Sequence, residues 1–564
     1  MKSSKPLLKI RGFLYDLARS QRADLPQLKY VARALAEFGY NLMVVYLEHR
    51  FDYPSCPGLA PPGSLTPAMA RELVEYGRDL GIEVAPMINL IGHCEGIAAT
   101  ERYAHLSCDP YQHAPWGGYE QLNLELHSTR KLVRAMIRDV TEAFPVAWLG
   151  IGGDEVRNMP CLFPNDPDRR LPKLIEHYRF VLKEARARDR QILVSGDMLL
   201  HHEALMKQMP RDLWILDWHY GAAGSRQSLE QFQREGFRVL ATPAVSTCSR
   251  FAVATEGSAA NLRHMLGDAL DLGLDGVLVA TWEFGQGSGV HLVWPWAAYA
   301  AALARGEKIK DADAYVAKFA NRRYGVDGRS FVRLHHLLDE ELLAALRQAG
   351  SGKPYLLSLL RKGLFRGVFP FLWLARSERF PENKHQMLSD PSPFWAWLHL
   401  RPALSPRFQS RLREIAVEAT TLAGELARAR GKHVRELVPI RCLAEAFAIL
   451  VERVEILQAA AQHYHAAAES QPFDPREFIS ELAAAAAEIK RIRPGLHRLQ
   501  RLVRRLDKAA AFSAEEHAWL GIQEHSLNEH LAALRFRRPE EDALLDFGEF
   551  LTRPAHVAPR LLWR

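Results

Sequence analysis

The stretch WLGIGGDEVRNMP, residues 148–160, starts as an apolar run, breaks at two glycines and passes into two adjacent acids. Neighbouring residues on a regular strand point to opposite faces. Asp154 and Glu155 therefore reach one cavity only if the strand pattern breaks before them. Gly152 and Gly153 make that break easy, because glycine enters the left-handed region without a Cβ clash. A carboxylate doublet in this position has no evident packing role, and it marks a strand end where chemistry is done.

Seven more short apolar runs lie on either side of it: KIRGFLYD (9–16), NLMVVYLE (41–48), EVAPMINL (83–90), QILVSGDM (191–198), LWILDWHY (213–220), RVLATPAV (238–245) and DGVLVATWE (275–283). Most are apolar on consecutive residues, the pattern of strands covered on both faces. Helical patterns separate them, among them LPQLKYVARALAEFG, PAMARELVEYGRDLG and AANLRHMLGDALDLG, several stopped by glycine. Eight strand–helix units, the last closed by WPWAAYAAALARG, predict an α/β chain whose residues 1–306 form a (β/α)8 TIM barrel. The first strand leads into LARSQRADLP with no G-x-G-x-x-G, which removes the dinucleotide-binding alternative.

Beyond residue 307 the strand runs stop. FQSRLREIAVEATTLAGELARARG and CLAEAFAILVERVEILQAAAQHYHAAAE predict a mostly α-helical region over 307–564, with a Pro- and Ser-rich connection at 376–407. The basic segment KRIRPGLHRLQRLVRRLDK (490–508) reads as a solvated helix face with acidic neighbours rather than a nucleic-acid or membrane surface.

Composition narrows the function classes. Lys and Arg number 73 against 66 Asp and Glu, a net +7 that is mixed along the chain, so no nucleic-acid partner is expected. Six cysteines in 564 residues, with no C-x-x-C, are too few for a disulfide scaffold. The N-terminal MKSSKPLLKIRGFLYD has no apolar core of signal-peptide length, and no apolar stretch is long enough to cross a membrane. The expectation is a reduced, cytoplasmic protein without a membrane partner.

In a barrel of this kind the site lies at the C-terminal ends of the strands. Those ends carry Glu48-His49, His93 and Glu95, Asp154-Glu155, Asp197, Asp217 with Trp218 and Tyr220, and Trp282-Glu283. Carboxylates for proton transfer and hydroxyl recognition, mixed with aromatic faces, suit a carbohydrate.

The G-G-D-E run on the fourth strand resembles the catalytic signature of glycoside hydrolase family 20, the β-N-acetylhexosaminidases. Arg11-Gly12 followed by Asp16 and Arg19 resembles that family's opening R-G…D…R. Tyr40-Asn41, Gly92-His93 and Trp282 with Glu283 follow in the family's order, so the resemblance covers residues 9–305. It implies removal of a terminal β-linked N-acetylhexosamine by substrate-assisted retaining catalysis. Glu155 would be the acid/base and Asp154 would orient the acetamido group. The same resemblance implies substrate contacts from Arg11, His93, Trp218, Tyr220, Trp282 and Glu283, with a glycan or glycoconjugate as partner and no cofactor.

Three other readings stand beside it. G-G-D-E-V also resembles diguanylate cyclases, whose motif lies on a hairpin in a ferredoxin-like domain rather than at the end of a βα series. His93, Cys94, His105, Cys108 and His113 crowd residues 91–127, but their spacing fits no zinc pattern and no metal is expected. A barrel that binds glycans without turning them over, or serves as a scaffold, is the non-enzyme alternative.

Overall fold

The computed structural model describes residues 8–348 and 406–506, apart from 19–22, 95, 98, 99, 101, 109–120, 157–161, 164, 248, 249 and 283–288; past Glu469 only scattered positions are described. The predicted connection at 376–407 thus lies almost wholly outside the described residues. The chain divides into two compact units. One comprises Met1–Ser246, Ala254–Phe284 and Val293–Val316; the other comprises Thr247–Val253, Gly285–Leu292 and Ala317–Arg564.

The first unit is a closed barrel of eight parallel strands in sequence order. Its strands are β1 (Ile10–Asp16), β2 (Leu42–Tyr46), β3 (Glu83–Met87), β4 (Trp148–Gly150), β5 (Gln191–Ser195), β6 (Trp214–Trp218), β7 (Arg238–Thr242) and β8 (Gly276–Val279). Each falls inside one of the eight apolar runs. β1 closes the barrel against β8, with Ile10 opposite Gly276 and Phe13 opposite Val279.

The helices between them are α1 (Leu25–Phe38), α2 (Pro67–Asp79), α3 (His127–Ala143), α4 (Arg170–Arg186), the short α5 (Asp197–His201) and α6 (Glu203–Gln208), α7 (Arg226–Arg234), α8 (Thr255–Asp271) and α9 (Trp294–Ala304). Two helix ends show the sequence signals directly. The Thr66 hydroxyl accepts the Met69 N–H at the head of α2. Gly39, at φ 98°, ends α1 in the left-handed conformation and donates to the Leu35 and Ala36 carbonyls. α9 is apolar on all sides and every residue of it is buried. Its Trp294 packs on Phe13 and Phe38, while the Tyr40 hydroxyl donates to the Ala297 carbonyl.

The N-terminal end of the barrel is tied by the first residues of the strands. Glu83 accepts the Ala147 N–H and the Trp148 indole, each at 3.0 Å. Trp148 meets Trp214 edge-on at 5.0 Å, and the Trp214 indole donates to Gln191. The Arg238 guanidinium lies 3.5 Å over the Trp214 ring and reaches Asp275.

The second unit is helical in its described parts: α10 (Ala312–Tyr324) enters it, followed by α11 (Gly328–His336), a π turn (Leu337–Glu341), α12 (Leu342–Gln348), α13 (Pro406–Leu426) and α14 (Val438–Glu469). Buried charges are paired there. Arg323 makes two 2.6 Å bonds to Glu436, and Arg250 faces the fully buried Asp339 at 3.4 Å. In the basic segment, Arg498 pairs with Glu452 and Arg505 with Glu445 on α14, in keeping with a salt-bridged face.

Cys56, Cys94 and Cys442 are buried thiols, whereas Cys108 is disulfide-bonded. The expectation of a wholly reduced chain does not hold at that position. Among the described residues no helix is long and apolar enough to cross a membrane, and no group of three or more His, Cys, Asp or Glu could hold a metal.

Candidate active site

The rim is built around the broken end of β4. The ladder to β5 continues one step past the strand, through Ile151 N–H to the Leu193 carbonyl and Ser195 N–H to the Gly152 carbonyl. The chain then turns through Gly152 at φ 63° and Gly153 at φ 89°. A Cβ on Gly152 would lie 1.3 Å from Asn89 Oδ1, and one on Gly153 would lie 2.5 Å from the Tyr178 hydroxyl. No side chain fits at either place. The Gly153 N–H donates to Asn89 Oδ1 at 3.2 Å, and its carbonyl accepts the Tyr178 hydroxyl at 2.9 Å. Burial pushes the Tyr178 phenol well up, so it remains a donor. Asn89 in turn donates to the Tyr46 oxygen, and Tyr46 donates to Glu48, both at 2.6 Å.

This turn brings the acid pair to one side. Glu155 itself adopts φ 52°, a conformation that costs a non-glycine residue roughly 1–2 kcal/mol. His93, at φ 49° on the loop after β3, places its Nε2 at 3.5 Å from Asp154 Oδ2 and 3.2 Å from Glu155 Oε2. Gly92 allows that approach, since a Cβ there would lie 2.7 Å from the Asp154 carbonyl oxygen. The loop is also held by His177, whose Nε2 meets the Leu90 carbonyl at 3.1 Å. Burial pulls His177 down to about 4, so at neutral pH the ring is uncharged and donates that bond.

The end of β5 supports both acids. The Ser195 hydroxyl donates to Asp154 Oδ1 at 3.3 Å, and Asp197 Oδ2 accepts the Glu155 backbone N–H at 2.9 Å. Asp197 is pushed up to about 6 by burial and then by the charge of Asp154, with the Glu155 and Met198 amides pulling the other way. Asp197 was legible as a strand-end acid, but its hold on the Glu155 backbone was not. Tyr178 and Asn89 carry no sequence signal that would have singled them out.

Aromatic rings stand at the ends of β6 and β8. Trp218 and Tyr220 lie 5.2 Å apart with a 31° tilt, and Trp282 meets Tyr46 edge-on at 5.1 Å. Tyr220 accepts a hydrogen bond from the Trp282 indole, which leaves its own hydroxyl proton to donate elsewhere. Burial raises this phenol, and Asp154, Glu155 and Asp197 add to the rise, so it stays neutral and faces the acids. Asp217 is not among the facing groups. It is buried and accepts the Ser228 hydroxyl at 2.6 Å, with His219 Nε2 at 3.1 Å.

Of the residues singled out in the sequence, Asp154, Glu155, His93, Tyr220 and Trp282 converge, with Trp218 beside Tyr220. Arg11 does not join them. It is the second residue of β1, at the opposite end of the barrel, where its guanidinium donates to the carbonyls of Gly39 at 2.7 Å and Leu8 at 2.8 Å. A strand of seven residues separates its two ends by ~20 Å, too far for this side chain to reach a sugar on the rim. Glu283 lies outside the described residues, as do His113 and Arg19.

Fold and site together define a (β/α)8 barrel with an acid pair on its C-terminal rim and aromatic rings around it. Residues 55–245 match the model of the glycosyl hydrolase family 20 catalytic domain. That span contains His93, Asp154, Glu155, Asp197, Trp218 and Tyr220, so the family resemblance rests on the stretch that builds the rim. A β-N-acetylhexosaminidase of Cellulomonas fimi is 30% identical over 169 residues, covering 26% of this chain and 33% of that protein. Beta-hexosaminidase 1 of Coccidioides posadasii is 22% identical over 270 residues, covering 42% and 44%. The chain thus spans less than half the length of these curated relatives. The family 20 exo-β-N-acetylglucosaminidase of Vibrio harveyi, solved with N-acetylglucosamine, aligns at a TM-score of 0.44 and 18% identity, over 56% of this chain and 57% of that one.

Proposed function

We propose that this protein is an exo-acting glycoside hydrolase that removes terminal β-linked N-acetylhexosamine by substrate-assisted retaining catalysis. The observation that carries the reading is the convergence of Asp154 and Glu155 on one imidazole, at 3.5 and 3.2 Å from His93 Nε2. Two neighbouring acids aimed to the same side suit a sugar that brings its own nucleophile.

In the first step the acetamido carbonyl oxygen attacks the anomeric carbon as the glycosidic C–O bond breaks. Glu155 gives its proton to the leaving oxygen. Asp154 holds the acetamido N–H and balances the positive charge that develops on the oxazolinium ring. In the second step water attacks the anomeric carbon and Glu155 takes its proton, which regenerates the acetamide with the configuration retained. Tyr220, with a hydroxyl proton to donate and a neutral phenol, is suited to the acetamido oxygen. Trp218 and Trp282 supply faces for the apolar side of the ring.

Rates on an aryl β-N-acetylglucosaminide and the matching aryl β-glucoside test this directly. The acetamido sugar is expected to react at least about 1,000-fold faster, the scale of intramolecular over external attack. Comparable rates would refute acetamido participation. Binding of sugar without turnover of either substrate would favour the glycan-binding alternative.

A further inference from the structure

Two residues at the end of β5 handle the two acids at the end of β4 in different ways. Ser195 touches the side chain of Asp154, whereas Asp197 touches only the backbone of Glu155. That backbone is the strained one, at φ 52° with no glycine to relieve it. Asp197 is itself firmly placed. The preceding Gly196 donates its N–H to the Leu216 carbonyl on β6, and a Cβ on it would lie 2.9 Å from Ile215 and from the Phe232 ring. The chain at Gly196 is pressed against β6, and Asp197 opens α5 from that fixed point.

We propose that Asp197 is a positioning residue: it holds the Glu155 amide in the left-handed turn and so aims the acid/base carboxyl at the glycosidic oxygen. This rests on the reading of Asp154 and Glu155 as the reacting acids. An asparagine would accept the same N–H without adding a third acid to the cluster. The groups facing Asp197 are Asp154 and Glu155 from the end of β4, Tyr178 from α4 and Tyr220 from the end of β6. His93 touches the carboxylates of both acids. The surroundings are thus mostly acidic, offset by the Glu155 and Met198 amides, and Asp197 Oδ1 is buried with no hydrogen-bond partner among the described residues. A carboxyl kept in so unfavourable a place contributes something an amide cannot. Its charge strengthens the grip on the Glu155 N–H.

The test compares Asp197→Ala with Asp197→Asn in the full chain, by kinetics and by hydrogen exchange at the Glu155 amide. Asp197→Ala removes the acceptor. Its kcat is expected to fall about 100-fold with KM changed less than about threefold, and exchange at Glu155 to accelerate at least about tenfold. Asp197→Asn keeps the acceptor and loses the charge. It is expected to retain kcat within about fivefold of wild type and to keep exchange at Glu155 within about threefold of wild type.

Unchanged amide exchange and kcat in Asp197→Ala would overturn the proposal, as would an Asp197→Asn protein that is as slow and exchanges as fast at Glu155 as Asp197→Ala. Should Asp197→Ala fail to fold, Asp197→Ser, whose hydroxyl is too short for the amide, takes its place under the same criteria. A wild-type protein that hydrolyses no aryl glycoside, while Asp197→Ala still accelerates exchange, would refute the hydrolase reading and leave the positioning role standing.

Discussion

The two ends of the barrel are made from the same eight strands and handle polar groups in opposite ways. At the N-terminal end the first residues of successive strands satisfy one another: Glu83 with Trp148, Gln191 with Trp214, Arg238 with Asp275, and Arg11 with two backbone carbonyls. At the C-terminal end Glu48, His93 and Glu155 are non-glycine residues at positive φ, and Asp197 Oδ1 and Trp218 Nε1 are buried without partners among the described residues. Left-handed non-glycine residues and unsatisfied buried polar atoms both cost stability. Of the five described non-glycine residues at positive φ, Glu48, His93, Glu155 and Phe163 lie on the C-terminal side of the barrel and Asp189, before β5, lies on the other, so backbone strain is concentrated where the site is built. The β-strands supply the stability that the rim gives up.

The sharpest way to break this comparison is Glu155→Gln. If the rim exists for chemistry, kcat/KM on an aryl β-N-acetylglucosaminide should fall by about 1,000-fold or more, on the order of 4 kcal/mol in transition-state energy. The melting temperature should stay within about 2 °C, because the amide keeps the shape and loses only the transferable proton. A large fall in stability with modest loss of rate would mean that the pair is structural and that the contrast between the ends is misread.

The barrel was legible because its signal is repeated eight times: each strand announced itself by consecutive apolar residues, and a barrel follows from counting. The acid pair was legible because Gly152 and Gly153 precede it. Arg11 was misplaced for a physical reason. The pattern R-G…D…R holds two arginines, and only the start of β1 at Ile10 decides which end of the strand each one occupies. A motif records order along the chain, whereas the rim is defined by strand ends. Asp197 was seen as a rim acid, but its contact is to a backbone amide, and backbone acceptors leave no trace in residue spacing. Tyr178, the donor to Gly153, lies mid-helix in α4, where its pattern is that of any buried aromatic.

A smaller effect sharpens the same contrast through pH. Asp197 sits at about 6 in the folded protein, above its unfolded value near 3.8. The folded state therefore binds the extra proton between those values. The stabilisation from that proton is full below about pH 4 and is lost as pH rises through 6, a change of roughly 3 kcal/mol at most. Removing the ionisable group removes the loss. Relative to wild type, Asp197→Asn should gain stability between pH 4 and pH 7.5, read as the difference in melting temperature at the two pH values. His177, pulled down to about 4, works in the opposite direction and is present in both proteins, so it cancels from the difference. Parallel pH curves for the two proteins would mean that Asp197 is not strained in the fold.

The smallest effect is expected at the other end. Arg11→Ala removes two hydrogen bonds, to Gly39 and Leu8, both partly exposed, so water replaces the lost donors and the expected destabilisation is about 1 kcal/mol. Its kcat and KM should each remain within about twofold of wild type, because nothing connects this guanidinium to the rim except the rigid length of β1. The pairing of outcomes decides between the two placements. Lower melting temperature with unchanged kinetics assigns Arg11 to the stabilising end. A tenfold rise in KM with unchanged stability would return Arg11 to the sugar, and the two ends of the barrel would then share a function that their geometry keeps apart.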